Sequence, residues 1–403
     1  MAIVVSGEMR MLNTLSPQVS GSQMGVDPGD SPRIAMACWD YSWLTRRDGR
    51  HCEYRNLEQV FEELALRGYN ALRVDPCPHL IAPAQNGLVV ERFDVLPEGR
   101  ALRRGLARPV QVNPRRMLAE LLRRAREYDI KLWLSSWFVA DTQARRSFVR
   151  RPRDFIYVWA ETLSFIEREG FAERVQAVDF CHEFPQLPFA AGAHRRIFGG
   201  HRANPLPQML NWPNTAEQKV EEYLLQVPRA LRASFPSYRY GVSVSSTLEQ
   251  RLQHMDTSEL DFLDAHIWLN DDPRFRLATG DILPVNPPVL VKGLRGRVAA
   301  LMYRQAQEHW HHRLYGRLAR QADFARVRRL LPVVSEGYVR APNEQSLDWG
   351  WVRAVSEGVV QAALERGISV VSAGIHARPH SAGFWEDVEW HQRLTARIRG
   401  GDA

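Results

Sequence analysis

Eight short apolar runs recur along the chain, each ending in polar or aromatic residues before a helix-patterned stretch begins. They are Ile34–Asp40, Ala71–Asp75, Ile130–Trp137, Val178–Pro185, Tyr240–Ser245, Phe262–Trp268, Leu331–Tyr338 and Ile368–Ala373. Short apolar runs bounded by turn residues read as strands buried on both faces. Between them, apolar residues recur every three or four positions. Leu57, Val60, Phe61 and Leu64 do so before Gly68, the pattern of an amphipathic helix and its stop. Helices are expected at about 56–67, 114–128, 153–169, 216–233, 298–320, 348–366 and 384–398, with short ones near 248–255 and 323–329. The stretches 81–112, 186–214 and 269–294 read as long loops without structure of their own.

Strictly alternating strands and helices imply parallel strands joined by right-handed crossovers. A doubly wound open sheet also alternates, but its glycine-rich first turn is missing: the chain has no G-x-G-x-x-G and no P-loop. The predicted fold is α/β, a (β/α)8 TIM barrel with long insertions in the strand-end loops. A chain of 403 residues suits such a barrel. Residues 1–31, mixing Gly, Ser, Pro and Met without periodicity, read as a leader, partly disordered or draped over the barrel. Residues 32–403 read as a single catalytic barrel.

The formal charge of +7 rests on arginine, since Lys131, Lys219 and Lys292 are the only lysines. The arginines scatter over helix faces, as at 121–127, with no groove-reading motif beside them. A solvated basic surface, with no nucleic-acid partner, is the expectation. The four cysteines form no CxxC pair, and Cys38, Cys77 and Cys181 read as buried thiols suited to a reducing compartment. No run approaches the roughly 18 apolar residues of a membrane span. No basic stretch precedes an apolar core at the N-terminus, so a cytoplasmic location without membrane association is expected. No cofactor is expected.

In a parallel barrel the active site lies at the C-terminal strand ends. Those ends deliver Trp39 and Asp40, Arg73 and His79, Trp137, His182 and Glu183, His266 and Trp268, Glu336 and Tyr338, and His376. Burying so many polar groups is costly unless they are paired or used. Glu183 follows strand four and Glu336 follows strand seven, on opposite sides of the mouth. Glycoside hydrolysis requires two carboxyl groups flanking one bond. Either glutamate alone also reads as an ion-paired strand end. The pair at these strand numbers points to catalysis.

With this pattern the chain resembles the clan A glycoside hydrolases, the 4/7 superfamily, and especially the cellulase-like relatives of glycoside hydrolase family five. The resemblance covers about Ile34 to Ile398. It implies a carbohydrate substrate and a retaining double displacement, with Glu183 as acid/base and Glu336 as nucleophile. It also implies that Arg73 stands beside the nucleophile, that His266 orients the site, and that Tyr338 touches the nucleophile or the sugar. His182 stands where the clan has the asparagine of Asn-Glu-Pro, and would hold the hydroxyl next to the reacting carbon. Ala373-Gly374-Ile375-His376 replaces the usual strand-eight tryptophan. Trp39, Trp137 and Trp268, with Trp43 and Trp385, are candidates for stacking on sugar rings.

Two other readings remain open. One is a carbohydrate-binding barrel without catalysis. The other is a metal-dependent hydrolase using Cys77-Pro78-His79 and Cys181-His182-Glu183 as ligands. Against the second, Trp39-Asp40-Tyr41 stands where metal-binding barrels often carry His-x-His, and no metal is expected.

Overall fold

A computed structural model describes residues 33–48, 52–84, 86–97, 108–186, 191–199, 212, 214–245, 249, 251–280, 289–339, 348–373 and 382–400. The expected leader at residues 1–31 and His376 lie outside the described residues. The strands are β1 (Ile34–Cys38), β2 (Ala71–Val74), β3 (Phe93–Val95), β4 (Val110–Val112), β5 (Lys131–Ser135), β6 (Val175–Asp179), β7 (Arg239–Val244), β8 (Phe262–Ala265), β9 (Ile267–Trp268), β10 (Leu331–Val334), β11 (Gly337–Tyr338) and β12 (Val370–Ser372). Eight of them, β1, β2, β5, β6, β7, β8, β10 and β12, close a barrel in chain order. All neighbours in the ring are parallel. The predicted (β/α)8 barrel is the fold. No helix among the described residues is long and apolar enough to cross a membrane.

The helices between the strands start where local chemistry satisfies their free N–H groups. Asn56 accepts from Gln59 N to open 57–66, and Asn113 accepts from Arg116 N at 3.1 Å to open 114–127. Pro114 and Pro152 occupy first-turn positions, where a missing N–H costs nothing. The Asp154 carboxylate accepts from Arg151 N at 2.7 Å and caps 152–168. Such a cap contributes about 1 kcal/mol.

Side chains alternate across each barrel strand, so every second residue points inward. The lower interior is filled by Ile34, Met36, Ala71, Trp133, Ala177, Phe262, Val333 and Val370. Trp133 meets Phe262 edge-on, with ring centroids 4.9 Å apart. Gly241 makes room for that ring: a Cβ there would lie 2.6 Å from the Phe262 side chain. One pleat further toward the C-terminal ends the inward positions turn polar. They are Cys38, Arg73, Ser135, Asp179, Ser243 and Asp264, all buried. This switch within one pleat makes the floor of the mouth.

The structure corrects several sequence expectations. The stretch 81–112 is not structureless: β3 and β4 pair antiparallel within it, and Val95 bridges to Asp141. Three-residue strands are too short to show a period. The stretch 269–294 holds a helix at Pro273–Thr279, capped by Asp272 and stopped by Gly280 at φ 68°. The insertion at 186–214 holds a helix at Ala191–Phe198. The helix expected at 298–320 is two, Val289–Gln305 and Gln307–Val327, broken at Ala306. The fourth barrel strand lies earlier than its apolar run, ending at Asp179 instead of reaching Glu183.

Candidate active site

Arg73 stands at the centre of the mouth. It is 2% exposed, and its guanidinium spends its donors on the surrounding strands. Nη1 donates to Glu336 Oε2 at 3.1 Å and to Cys38 Sγ at 3.5 Å. Nη2 donates to Ser135 Oγ at 2.8 Å and Asp179 Oδ2 at 3.2 Å. It also donates to His182 Nδ1 at 2.9 Å. Nε faces Asp264 Oδ2 at 3.6 Å, an ion pair too long for a hydrogen bond. Burial opposes the charge on Arg73, but neighbouring Cys38, Asp264, Glu336 and Asp179 outweigh it and hold the guanidinium firmly protonated.

The two carboxylates of the floor differ. Asp179 accepts from the Ser135 and Ser243 hydroxyls at 2.6 Å each and from Arg73. Burial still pushes its carboxyl above the usual range. Burial opposes Asp264 as well, but His266, Arg73 and Ser335 overcome it and hold the carboxyl below the usual range.

Glu183 lies in the turn after β6, at φ 45°. The left-handed region costs a non-glycine residue on the order of 1–3 kcal/mol. The turn is held by Glu183 N donating to Ser243 Oγ at 2.9 Å and by His182 N donating to Ser136 O at 2.8 Å. Glu183 Oε1 lies 2.9 Å from His266 Nδ1. On the other side of that ring, Nε2 lies 3.7 Å from Asp264 Oδ2 and 4.0 Å from Glu336 Oε2. One imidazole therefore separates Glu183 from Glu336. Burial would neutralise this imidazole, but Glu336, Asp264 and Glu183 overcome that and push its pKa up to about 10.

Cys38, Arg73, His182 and His266 surround Glu336 Oε2, at 4.0, 3.1, 3.8 and 4.0 Å respectively. His182 stacks on Trp137, with centroids 3.9 Å apart and planes 16° apart. Trp137 is set in turn by its backbone N–H, which donates to Asp75 Oδ2 at 3.0 Å. Burial pushes the Asp75 carboxyl up to about 6.

Of the sequence candidates, Arg73, His182, Glu183, His266 and Glu336 come together, with Trp137 at their edge. Others are placed differently. The Tyr338 hydroxyl donates to Ser372 O at 3.0 Å, so it is engaged in the barrel wall. Trp39 packs edge-on against Tyr54 and Phe61 at 5.0 and 5.6 Å, between barrel and helix. Asp40 accepts from Ser42 N at 2.8 Å and so shapes the turn after β1. His79 Nε2 meets Val139 O at 2.9 Å, and burial pushes its pKa down to about 3. Trp268 is 5% exposed and lies in β9, which pairs with β11. Trp43 donates to Asp75 O at 2.8 Å, and Trp385 stacks on Tyr69 at 5.7 Å. Trp39, Trp43 and Trp385 are thus held by the protein's own groups. Sequence reasoning missed Asp179, Asp264, Ser135 and Ser243. Their signal was present as the inward residues four before Glu183, two before His266 and one pleat into strands three and five.

Single ligand atoms of His182, His266 and Glu336 lie within 4.8 Å of one another, close enough to suggest a cation site. The chemistry of the neighbours argues against it. Arg73 already reaches His182 Nδ1 and Glu336 Oε2, so an ion sharing those atoms would meet a fixed positive charge. The thiols of the proposed metal reading fit no better: burial raises both Cys77 and Cys181 well above their usual range, away from the thiolate a metal needs.

The sequence matches the family described as sugar-binding cellulase-like over residues 36–399. Among solved structures it is similar to a candidate glycoside hydrolase from Parabacteroides distasonis ATCC 8503, with 27% identity, a TM-score of 0.78, and coverage of 92% of this chain and 94% of that one. It shares its fold with an endocellulase from Pyrococcus horikoshii solved in complex with cellotetraose, at 12% identity and a TM-score of 0.53, covering 91% of this chain and 92% of that one. No curated protein matches the sequence. The cellulase-like resemblance read from the strand-end residues therefore holds, and the chain belongs to the sugar-binding cellulase-like family.

Proposed function

We propose that this chain is a retaining glycoside hydrolase acting on an oligo- or polysaccharide, with residues 32–403 as its catalytic unit. The observation that carries the reading is the single imidazole of His266 between Glu183 and Glu336. Both carboxyls thus reach one ring at the strand ends, glycoside hydrolysis needs two carboxyl groups at one bond, and the retaining course is the one that the clan A resemblance implies.

In the first step Glu336 attacks the anomeric carbon, the glycosidic bond breaks, and Glu183 gives its proton to the departing oxygen. The product is a glycosyl ester on Glu336. In the second step Glu183 takes a proton from water, the water oxygen attacks the anomeric carbon, and Glu336 leaves as a carboxylate. Arg73, 3.1 Å from Glu336, stabilises the negative charge at the start and end of that cycle. His182, beside the nucleophile, takes the place of the clan asparagine.

Glu183→Gln and Glu336→Gln, assayed with an aryl glycoside, test the reading. Each is expected to lose about 10³-fold or more in kcat. A 2-deoxy-2-fluoro aryl glycoside should add one sugar mass to Glu336 and to no other residue. The family's sugar-binding description supports a second reading, a barrel that holds sugar without cleaving it. Saturable glycan binding by a wild type that turns over no glycoside in a broad panel favours that one.

A further inference from the structure

We propose that Asp264 is a positioning residue that keeps His266 doubly protonated, above all while Glu336 carries the sugar as an ester. The catalytic part of this proposal rests on the two-glutamate reading; the charge state of His266 does not.

The geometry asks for two protons on the ring. Nδ1 lies at hydrogen-bond distance, 2.9 Å, from Glu183 Oε1. Nε2 lies 3.7 Å from Asp264 Oδ2 and 4.0 Å from Glu336 Oε2, and among the described residues it has no hydrogen-bond partner. A neutral imidazole has one N–H. With that proton on Nδ1, the Nε2 lone pair would face two carboxylate oxygens. With it on Nε2, an ionised Glu183, the form that must act as base, would lose its donor. An imidazolium gives Glu183 its donor and sets a positive charge within ion-pair distance of Asp264 and Glu336.

The charged groups around the ring come from several elements. Glu183 lies after β6, Asp264 on β8, and Glu336 after β10. His182 is near, with ring centroids 5.0 Å apart, and Arg73 from β2 pairs with both Asp264 and Glu336. Arg317 from the helix Gln307–Val327 reaches the His266 carbonyl at 3.5 Å.

Asp264 and Glu336 are not equivalent partners of Nε2. Once Glu336 becomes an ester, its negative charge is gone. Asp264 takes no part in the covalent step, and the Ser335 N–H at 2.9 Å and the Ser335 hydroxyl fix its carboxylate. It is the carboxylate left on the Nε2 side of the imidazolium while Glu183, on the Nδ1 side, must act as base. The pKa of about 10 at His266 agrees with this arrangement.

The test is Asp264→Asn, with Asp264→Glu as the charge-restoring control. Long-range nitrogen–proton NMR of the His266 ring reads its charge state directly. In the wild type the ring should stay imidazolium through pH 9. In Asp264→Asn its pKa should fall by about 1–3 units, the effect of losing one close opposite charge. Asp264→Glu should recover most of that shift. In kinetics with a reactive aryl glycoside, Asp264→Asn should slow the second step on the order of tenfold. Then kcat and KM fall together and glycosyl-enzyme accumulates. A merely structural defect would not lower KM. If Asp264→Asn does not fold, Ser335→Ala, which removes only the hydroxyl holding Asp264, should move the titration in the same direction by less. A His266 titration unchanged in these variants overturns the proposal, as does a kcat loss at constant or rising KM. If no glycoside is turned over at all, the function reading fails, and the ring titration alone decides the proposal.

Discussion

Arg73 Nη2 lies 2.9 Å from His182 Nδ1, and this one contact fixes the tautomer of the histidine. A guanidinium has no acceptor, so Nδ1 must carry the lone pair and Nε2 the hydrogen. His182 thus enters the mouth as an N–H donor, the same capacity that an asparagine amide offers.

His182→Phe keeps a flat ring for Trp137 to stack on but removes both nitrogens. The expected outcome is a folded protein whose kcat on an aryl glycoside drops about 10²–10³-fold, the loss typical of one well-aimed donor. Steady-state rates beside a thermal melt check it. A variant with wild-type rates would remove His182 from the site.

Arg73→Met leaves Asp179, Asp264 and Glu336 clustered without their shared cation. Removing one partner of a buried ion pair costs about 3–5 kcal/mol. Urea unfolding should show a loss of that order, with no glycosidase activity remaining. Stability equal to wild type would mean that the guanidinium is not the centre of the floor.

Stability should peak near neutral pH, for opposing reasons. The folded-state pKa of His266, about 10, exceeds the ordinary 6.5, so its contribution is complete below about 6.5 and lost as pH rises through about 10. His79 and His391 are pushed by burial to about 3, so the unfolded chain binds protons there that the folded chain refuses. Their contribution fades as pH falls below about 6.5. Each shift is worth on the order of a few kcal/mol. A melting temperature flat from pH 4 to 10 would contradict all three assignments.

Gly337 follows the proposed nucleophile, and a Cβ there would lie 2.6 Å from Ile267 O. Gly337→Ala should force β11 away from β9, costing about 1–3 kcal/mol. Because β9 follows His266 and β11 follows Glu336, kcat should fall as well. Melting temperature and rate measured on one preparation would show whether the two losses travel together.

The ring of strands was legible because strands buried on both faces leave unbroken apolar runs, and the helices between them keep their three-to-four spacing. Arg73, His182, Glu183, His266 and Glu336 were legible because each stands as a polar break at or just past such a run. The ends of the fourth strand were not. Val178, Phe180 and Cys181 carry the apolar pattern past Asp179, yet β6 stops at Asp179, where the chain turns to set Glu183. The tryptophans were misleading for a related reason. Trp39 and Trp137 both follow apolar strands, and nothing local says that the ring of Trp39 turns toward Phe61 while that of Trp137 covers His182. The polar floor went unseen because Asp179 and Asp264 each sit inside an apolar run, where partners from other strands decide whether a charge is tolerable.

Trp133 and Phe262, wedged across the barrel beneath Arg73, also govern traffic. Among the described residues, these rings and their neighbours fill the barrel interior below the polar floor. On the function proposed above, water and sugar would then approach the two glutamates from the strand-end side.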